Sequence, residues 1–154
     1  DRLRSRGLGD VYKRQMQNYG AGVQACYRGP RLYDTPETQA AVTEVIQWYK
    51  KYRDILNSDM IHLRRPDARD WDGFIHVNPH KKEKGLAMFF NPTHQEITRT
   101  IHIPLYYTGL TQTARIREKE QKPVTYKLNR DYTVELTVKI PANGYTWYVV
   151  EAAD

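Results

Sequence analysis

The sequence predicts a mainly β protein: one long N-terminal helix followed by an antiparallel β-sandwich of about eight strands. Two observations carry that prediction. A single stretch, residues 34–56, shows a sustained helical period. After it, short runs of alternating or continuous apolar residues recur between turn signals, with no second helical pattern among them.

The helix comes first. Val42, Val45, Tyr49, Tyr52 and Leu56 recur at spacings of three and four, and Ala41, Trp48 and Ile55 widen the stripe. Thr35 is placed to cap the N-terminus, since its hydroxyl can accept from an unpaired backbone N–H. Pro36 follows at the first helical position, where a missing N–H costs nothing. Glu37 complements the positive end of the helix dipole, and Lys50, Lys51 and Arg53 the negative end. Upstream, Gly20 to Cys26 is small on both faces and reads as a short buried strand. Arg28-Gly29-Pro30 then turns the chain toward the helix, which gives one βα unit. A lone βα unit cannot bury both faces, so part of the Val42–Trp48–Tyr52–Ile55 surface is expected to be exposed.

Strands are expected at residues 60–64, 74–77, 85–91, 96–104, 114–118, 124–128, 133–140 and 145–151. In the fourth, Ile97, Arg99, Ile101 and Ile103 share one side. In the seventh, Val134, Leu136, Val138 and Ile140 face away from Thr133, Glu135, Thr137 and Lys139. The run Leu86-Ala87-Met88-Phe89-Phe90 has no polar alternation, as a central strand covered on both faces would read. Asn91-Pro92-Thr93, Arg130-Asp131 and Ala142-Asn143-Gly144 are turn material. Eight short strands without an intervening helix argue the sandwich.

Composition narrows the function classes. The chain has 154 residues, 40% hydrophobic and 27% charged, which suits one domain with a core plus an appendage. Its single cysteine, Cys26, excludes an intrachain disulfide framework and leaves the compartment open. No run approaches the ~18 apolar residues of a membrane helix. Half of the net charge of +6 comes from residues 1–15, DRLRSRGLGDVYKRQ, with five basic and two acidic side chains. The peptide DVYKRQ resembles translated adapter or vector sequence found at the ends of assembled metagenomic reads; a natural basic tail is the alternative. Without that segment the charge argument for nucleic acid nearly vanishes. Neither a nucleic-acid nor a membrane partner is expected, and localisation is open.

Few residues offer chemistry. Asp67, Asp70 and Asp72 in RPDARDWDG have neither the spacing of a calcium loop nor its closing Glu, and read as a polar hairpin loop held by Arg64, Arg65 and Arg69. His62, His76, His80, His94 and His102 form no helical ligand pair, although His62 and His76 can face each other across adjacent strands. No metal or cofactor is expected. Cys26 reads as a small core thiol. Lys81-Lys82-Glu83-Lys84 reads as a solvated hairpin tip. Tyrosine is abundant, at twelve; exposed aromatic faces can stack on sugar rings, but Tyr106, Tyr107, Trp147 and Tyr148 are expected mostly in the core.

The succession YGAGVQACYRGPRLYDTPE, WYKKYRDIL, LRRPDARDWDGFIHVNP, KGLAMFFNPT and IPLYYTGL, over about residues 17–151, resembles the tail of an α-galactosidase-like glycoside hydrolase. Such enzymes pair a (β/α)8 barrel with a C-terminal β-sandwich. The resemblance implies a division into a non-native tail (1–15), the last βα unit of a truncated barrel (16–57) and the sandwich (58–154). It implies a carbohydrate substrate held by the missing barrel, with helix and sandwich packed on that barrel, and a parent that is secreted or periplasmic. The catalytic carboxylates of these enzymes lie on earlier barrel strands, so no catalytic residue carries over. Tyr27 and Arg28, just past the last barrel strand, would approach the sugar pocket. There Arg28 either donates a forked hydrogen bond or only ties down the turn. The alternative is a stand-alone glycan-binding or protein-interaction sandwich module.

Overall fold

The computed structural model describes residues 15–23 and 35–153, and the chain divides into two compact units between Leu56 and Asn57. In the first unit a 21-residue helix spans Pro36–Leu56. Thr35 caps it: its hydroxyl accepts from the Thr38 N–H at 3.1 Å, and its carbonyl accepts from the Gln39 N–H. Ala41, Val42, Val45, Tyr49, Tyr52, Ile55 and Leu56 are buried, which is the face the period predicts. The exposure expected of this stripe is confined to Trp48, which is half-buried.

The strand expected over residues 20–26 does not begin where it was placed. Residues 15–20 are helical, and Ala21 and Gly22 turn. The Val23 N–H bonds the Asn18 carbonyl and the Gly22 N–H the Tyr19 carbonyl, with Gly22 at φ 77°. That pair of bonds closes a helix around a left-handed glycine, so small residues that suit a strand here serve a helix stop. The Tyr19 ring lies 5.1 Å from that of Tyr49. Residues 24–34, with Cys26, Tyr27 and Arg28, lie outside the described residues.

The second unit holds all eight expected strands: β1 (Asp59–Arg64), β2 (Asp72–Val77), β3 (Glu83–Phe90), β4 (Ile97–Pro104), β5 (Thr113–Glu118), β6 (Val124–Lys127), β7 (Thr133–Ile140) and β8 (Tyr145–Glu151). All pairings are antiparallel. Six strands form one sheet in the order β1-β2-β3-β8-β5-β6, and β4 pairs with β7 in a second. The continuous apolar run is β3, an interior strand whose residues from Gly85 onward are all buried. In β4 and β7 the side chains alternate as read: Ile101, Ile103, Val134, Leu136, Val138 and Ile140 are buried, while His102, Glu135, Thr137 and Lys139 are exposed.

Those inward residues share one buried cluster with Ile75, Val77, Ala87, Phe89, Ala114, Ile116, Tyr148 and Val150 of the larger sheet. Both sheets therefore bury apolar faces in one core, which supplies the main driving force for this unit. Gly73 sits where β2 crosses β3 closely. A Cβ there would come within 2.5 Å of the Met88 carbonyl oxygen, so the Trp71-Asp72-Gly73 run admits no larger third residue without moving backbone.

Candidate functional site

The acidic segment is an ion-paired loop between β1 and β2. Arg64 at the end of β1 grips Asp67 with its two terminal guanidinium nitrogens, at 3.3 and 2.8 Å, and also donates to the Trp71 carbonyl. Asp67 further accepts from the Arg69 and Asp70 N–H groups. Asp70 pairs with Arg99 of β4 at 3.3 Å and accepts from the Trp71 N–H. The predicted Arg64 pairing is present, and a second cation comes from β4, a source no local reading of the loop contains. These carboxylates are held by cations and backbone donors rather than by one another, which makes a loop brace and not an acid/base pair.

The Arg64 hydrogen bond and the two backbone N–H groups hold Asp67 well below the usual carboxylate range. A depressed carboxylate contributes stability that is fully present above its unfolded pKa of about 3.9 and is lost as pH falls through the lower folded value. Asp67 is exposed and Arg64 only half-buried, so the contribution is screened and small. The melting-temperature gap between wild type and Asp67→Asn is expected to hold steady above about pH 5 and to close below about pH 4. A gap that does not change with acidification would show that the brace carries no stability.

The histidines do not converge. His62 lies opposite Phe74, and His76 lies opposite Met60. The Phe74 ring stands edge-on to both, at 6.5 Å from His62 and 5.5 Å from His76. The expected face-to-face pair is thus split by a phenylalanine, because the two positions are diagonal rather than opposite in the register. His76 is buried, with Nδ1 3.3 Å from the Ser58 carbonyl oxygen. Among the described residues no three His, Cys, Asp or Glu side chains gather as metal ligands. Lys81 and Lys82 are exposed at a turn, as expected, and the Lys84 ammonium folds back onto the Pro79 and Lys81 carbonyls.

The aromatic residues divide. Trp147 and Tyr148 are buried, as expected. Burial, and then Glu118, push the Tyr148 phenol above its ordinary range. Tyr106 and Tyr107 are instead 61% and 63% exposed, a correction to the core reading. They lie on a 3-10 turn, Tyr106–Thr108, which ends at Gly109 with φ 78°. Three residues with that stop cannot direct two successive side chains inward, and Thr108 takes the inward position.

Their rings meet edge to face at 5.1 Å, and Tyr106 meets Tyr132 at 5.5 Å. Tyr132 sits at the corner between β6 and β7 with φ 62°, an uncommon conformation for a bulky side chain. The corner is closely braced. The Tyr132 N–H donates to the Asn129 carbonyl, the Asn129 N–H to the Thr133 carbonyl, and the Leu105 N–H to the Tyr132 carbonyl. Asp131 accepts from the Thr133 hydroxyl at 2.7 Å and from its N–H at 3.2 Å. Beside Tyr132 runs an open groove of about 550 Å3, lined by Thr111, Gln112, Thr113, Lys127, Leu128, Asn129 and Arg130. Sequence reasoning missed this site because a tyrosine pair fits a core and a surface equally well. The one signal was Gly109, three residues after Tyr106.

No protein-family model matches the chain, and no curated protein matches it. Solved structures do. An α-galactosidase I from Mortierella vinacea superposes with a TM-score of 0.59 at 14% identity, over 92% of this chain and 35% of that one. An α-amylase from Geobacillus thermoleovorans gives 0.58 at 12% identity, over 96% and 34%. A putative α-N-acetylgalactosaminidase from Bacillus halodurans C-125 gives 0.56 at 11% identity, over 94% and 31%. The fold is glycoside-hydrolase-like. At these identities the likeness is one of fold, and the chain spans about a third of the length of each of these structures.

Proposed function

We propose that this chain is the C-terminal part of a carbohydrate-active glycoside hydrolase, a β-sandwich that structurally supports a catalytic barrel. The observation that carries the reading is the coverage: over nine-tenths of this chain matches about a third of several sugar-cleaving enzymes. Residues 16–57 then supply the end of the barrel, with Pro36–Leu56 as its last helix, and 58–154 supply the sandwich, with the β4–β7 sheet facing the six-stranded one. The carbohydrate is the barrel's ligand, and the helix and sandwich pack on that barrel. Tyr27 and Arg28 lie toward the sugar pocket in this arrangement.

Hydrolysis of a glycosidic bond needs a general acid and a nucleophile or base on opposite sides of the scissile bond. In the acidic loop, Asp67 and Asp70 are committed to Arg64, Arg99 and backbone N–H groups. With the catalytic pair on the barrel strands in this reading, the purified chain is expected to turn over no aryl galactoside, glucoside or N-acetylgalactosaminide. Turnover that survives removal of contaminating hydrolases would overturn the structural role. The upstream reading frame tests the parent: a barrel with paired Asp or Glu at strand ends supports it. A stop codon shortly before Met16 would replace it with the stand-alone module.

A further inference from the structure

We infer that the Tyr106–Tyr107–Tyr132 cluster and its adjoining groove form a binding surface for a neutral pyranose oligosaccharide. The inference goes beyond the hydrolase reading and does not depend on it, because every residue of the surface belongs to this chain. Its parts are those such a ligand needs. A pyranose ring has an apolar face of C–H bonds and a rim of hydroxyls. Tyr106 and Tyr107 present more than half of their surface to solvent, with apolar ring faces and polar tips. Two rings set edge to face offer stacking planes in different directions, which suits successive sugars that twist relative to one another. The groove residues that can partner hydroxyls are Thr111 and Thr113, the amides of Gln112 and Asn129, and the donor-only cations Lys127 and Arg130. Amides and guanidinium present paired polar atoms that match vicinal hydroxyls. A volume of about 550 Å3 falls among small-ligand sites, which run about 300–1,000 Å3.

Two further observations favour a built surface over chance exposure. Tyr132 joins the ring cluster to the groove, and it is held in a left-handed conformation that a non-glycine residue rarely adopts. Asn129, Asp131 and Thr133 hold the corner around it in a closed set of hydrogen bonds.

The test is electrophoresis of the full chain through native gels cast with soluble starch or galactomannan, followed by calorimetric titration with oligosaccharides of whichever glycan slows it. Slowed migration that persists in high salt is expected in at least one gel. Tyr106→Ala with Tyr107→Ala should abolish it and weaken the titrated affinity by about tenfold or more. Both side chains are exposed, so the double variant should keep the wild-type circular dichroism. Tyr132→Asn removes the third ring with a residue that tolerates the left-handed backbone, and should also weaken binding. Lys82→Ala, at the exposed turn before β3, should bind as wild type does. Unretarded wild type in both gels overturns the inference, as does retardation that salt removes or that all the tyrosine variants keep. None of these results bears on the parent hydrolase, which the upstream reading frame decides.

Discussion

Replacing Asn91 with aspartate is expected to destabilise the β unit by on the order of 3–5 kcal/mol at neutral pH, a large share of the ~5–15 kcal/mol that holds a domain folded. Asn91 follows β3 and has no solvent exposure. Its Nδ2 lies 2.7 Å from the Gln95 carbonyl oxygen, 3.2 Å from that of Ile140 and 3.1 Å from that of Pro141. Its Oδ1 accepts from the Thr93 N–H and hydroxyl, at 2.9 and 2.7 Å. Carbonyls surround one end of the amide and donors the other, so only one orientation satisfies both. The side chain thereby ties the β3–β4 loop to the end of β7. The Asn91 backbone N–H adds a bond to Gly144 in the β7–β8 turn. Aspartate has the same shape but points an anionic oxygen at three carbonyls. That desolvated, repelled carboxylate takes a folded pKa above its unfolded value of about 3.9. The loss is then least below about pH 3.9 and grows as pH rises through the folded value. Asn91→Ala is the control: it leaves the carbonyls unpaired and costs about 2–4 kcal/mol with no such pH dependence. Chemical denaturation of both variants at acid and neutral pH checks this. Equal losses for the two variants at every pH would show that the aspartate meets no added repulsion, and a loss below about 1 kcal/mol for Asn91→Ala would show that the three carbonyls do not need the amide.

The Asn91 case also shows where sequence reasoning stops. Asn91-Pro92 was legible as turn material, because asparagine and proline favour turns through local backbone geometry. Two of the amide's three acceptors lie 49 and 50 residues away, and no local pattern encodes that distance. The strands were legible for the opposite reason. Burying one face of β4 and β7 forces a period of two, and covering both faces of β3 forces a continuous apolar run. Which strands pair was not legible: β3 joins β8, and β4 joins β7, across long intervening segments. The helix cap at Thr35 is local and was read correctly. Residues 20–23 show local reading failing through ambiguity, since glycine and alanine suit a tight buried strand and a left-handed helix stop alike. The tyrosine surface failed similarly. Exposure of Tyr106 and Tyr107 follows from a three-residue turn and a glycine, whereas their composition alone suggests a core.

Phe89→Ala is expected to cost about 3–5 kcal/mol, and its importance is where the loss propagates. Phe89 is fully buried on β3, with the Trp71 and Tyr148 rings each 5.8 Å from its own. It belongs to the cluster that also holds Ile101, Ile103, Val134, Leu136, Val138 and Ile140 from the two-stranded sheet. A two-stranded sheet is marginal alone in water, so β4 and β7 depend on that cluster for their order. Removing the ring leaves a cavity in it, because neighbours anchored in two sheets cannot collapse far. Phe89→Leu keeps most of the volume and should lose only about 1–2 kcal/mol. Denaturant unfolding followed by tryptophan fluorescence in a Trp48→Phe background, which leaves Trp71 and Trp147 of the β unit, and by amide hydrogen exchange of β4 and β7 should shift to the same new midpoint. The denaturant slope should not change, since the surface exposed on unfolding is nearly the same. If β4 and β7 lose protection in a separate early transition, their sheet does not share the cooperative core. A loss below about 1 kcal/mol would mean that Phe89 is not the packing centre its contacts describe.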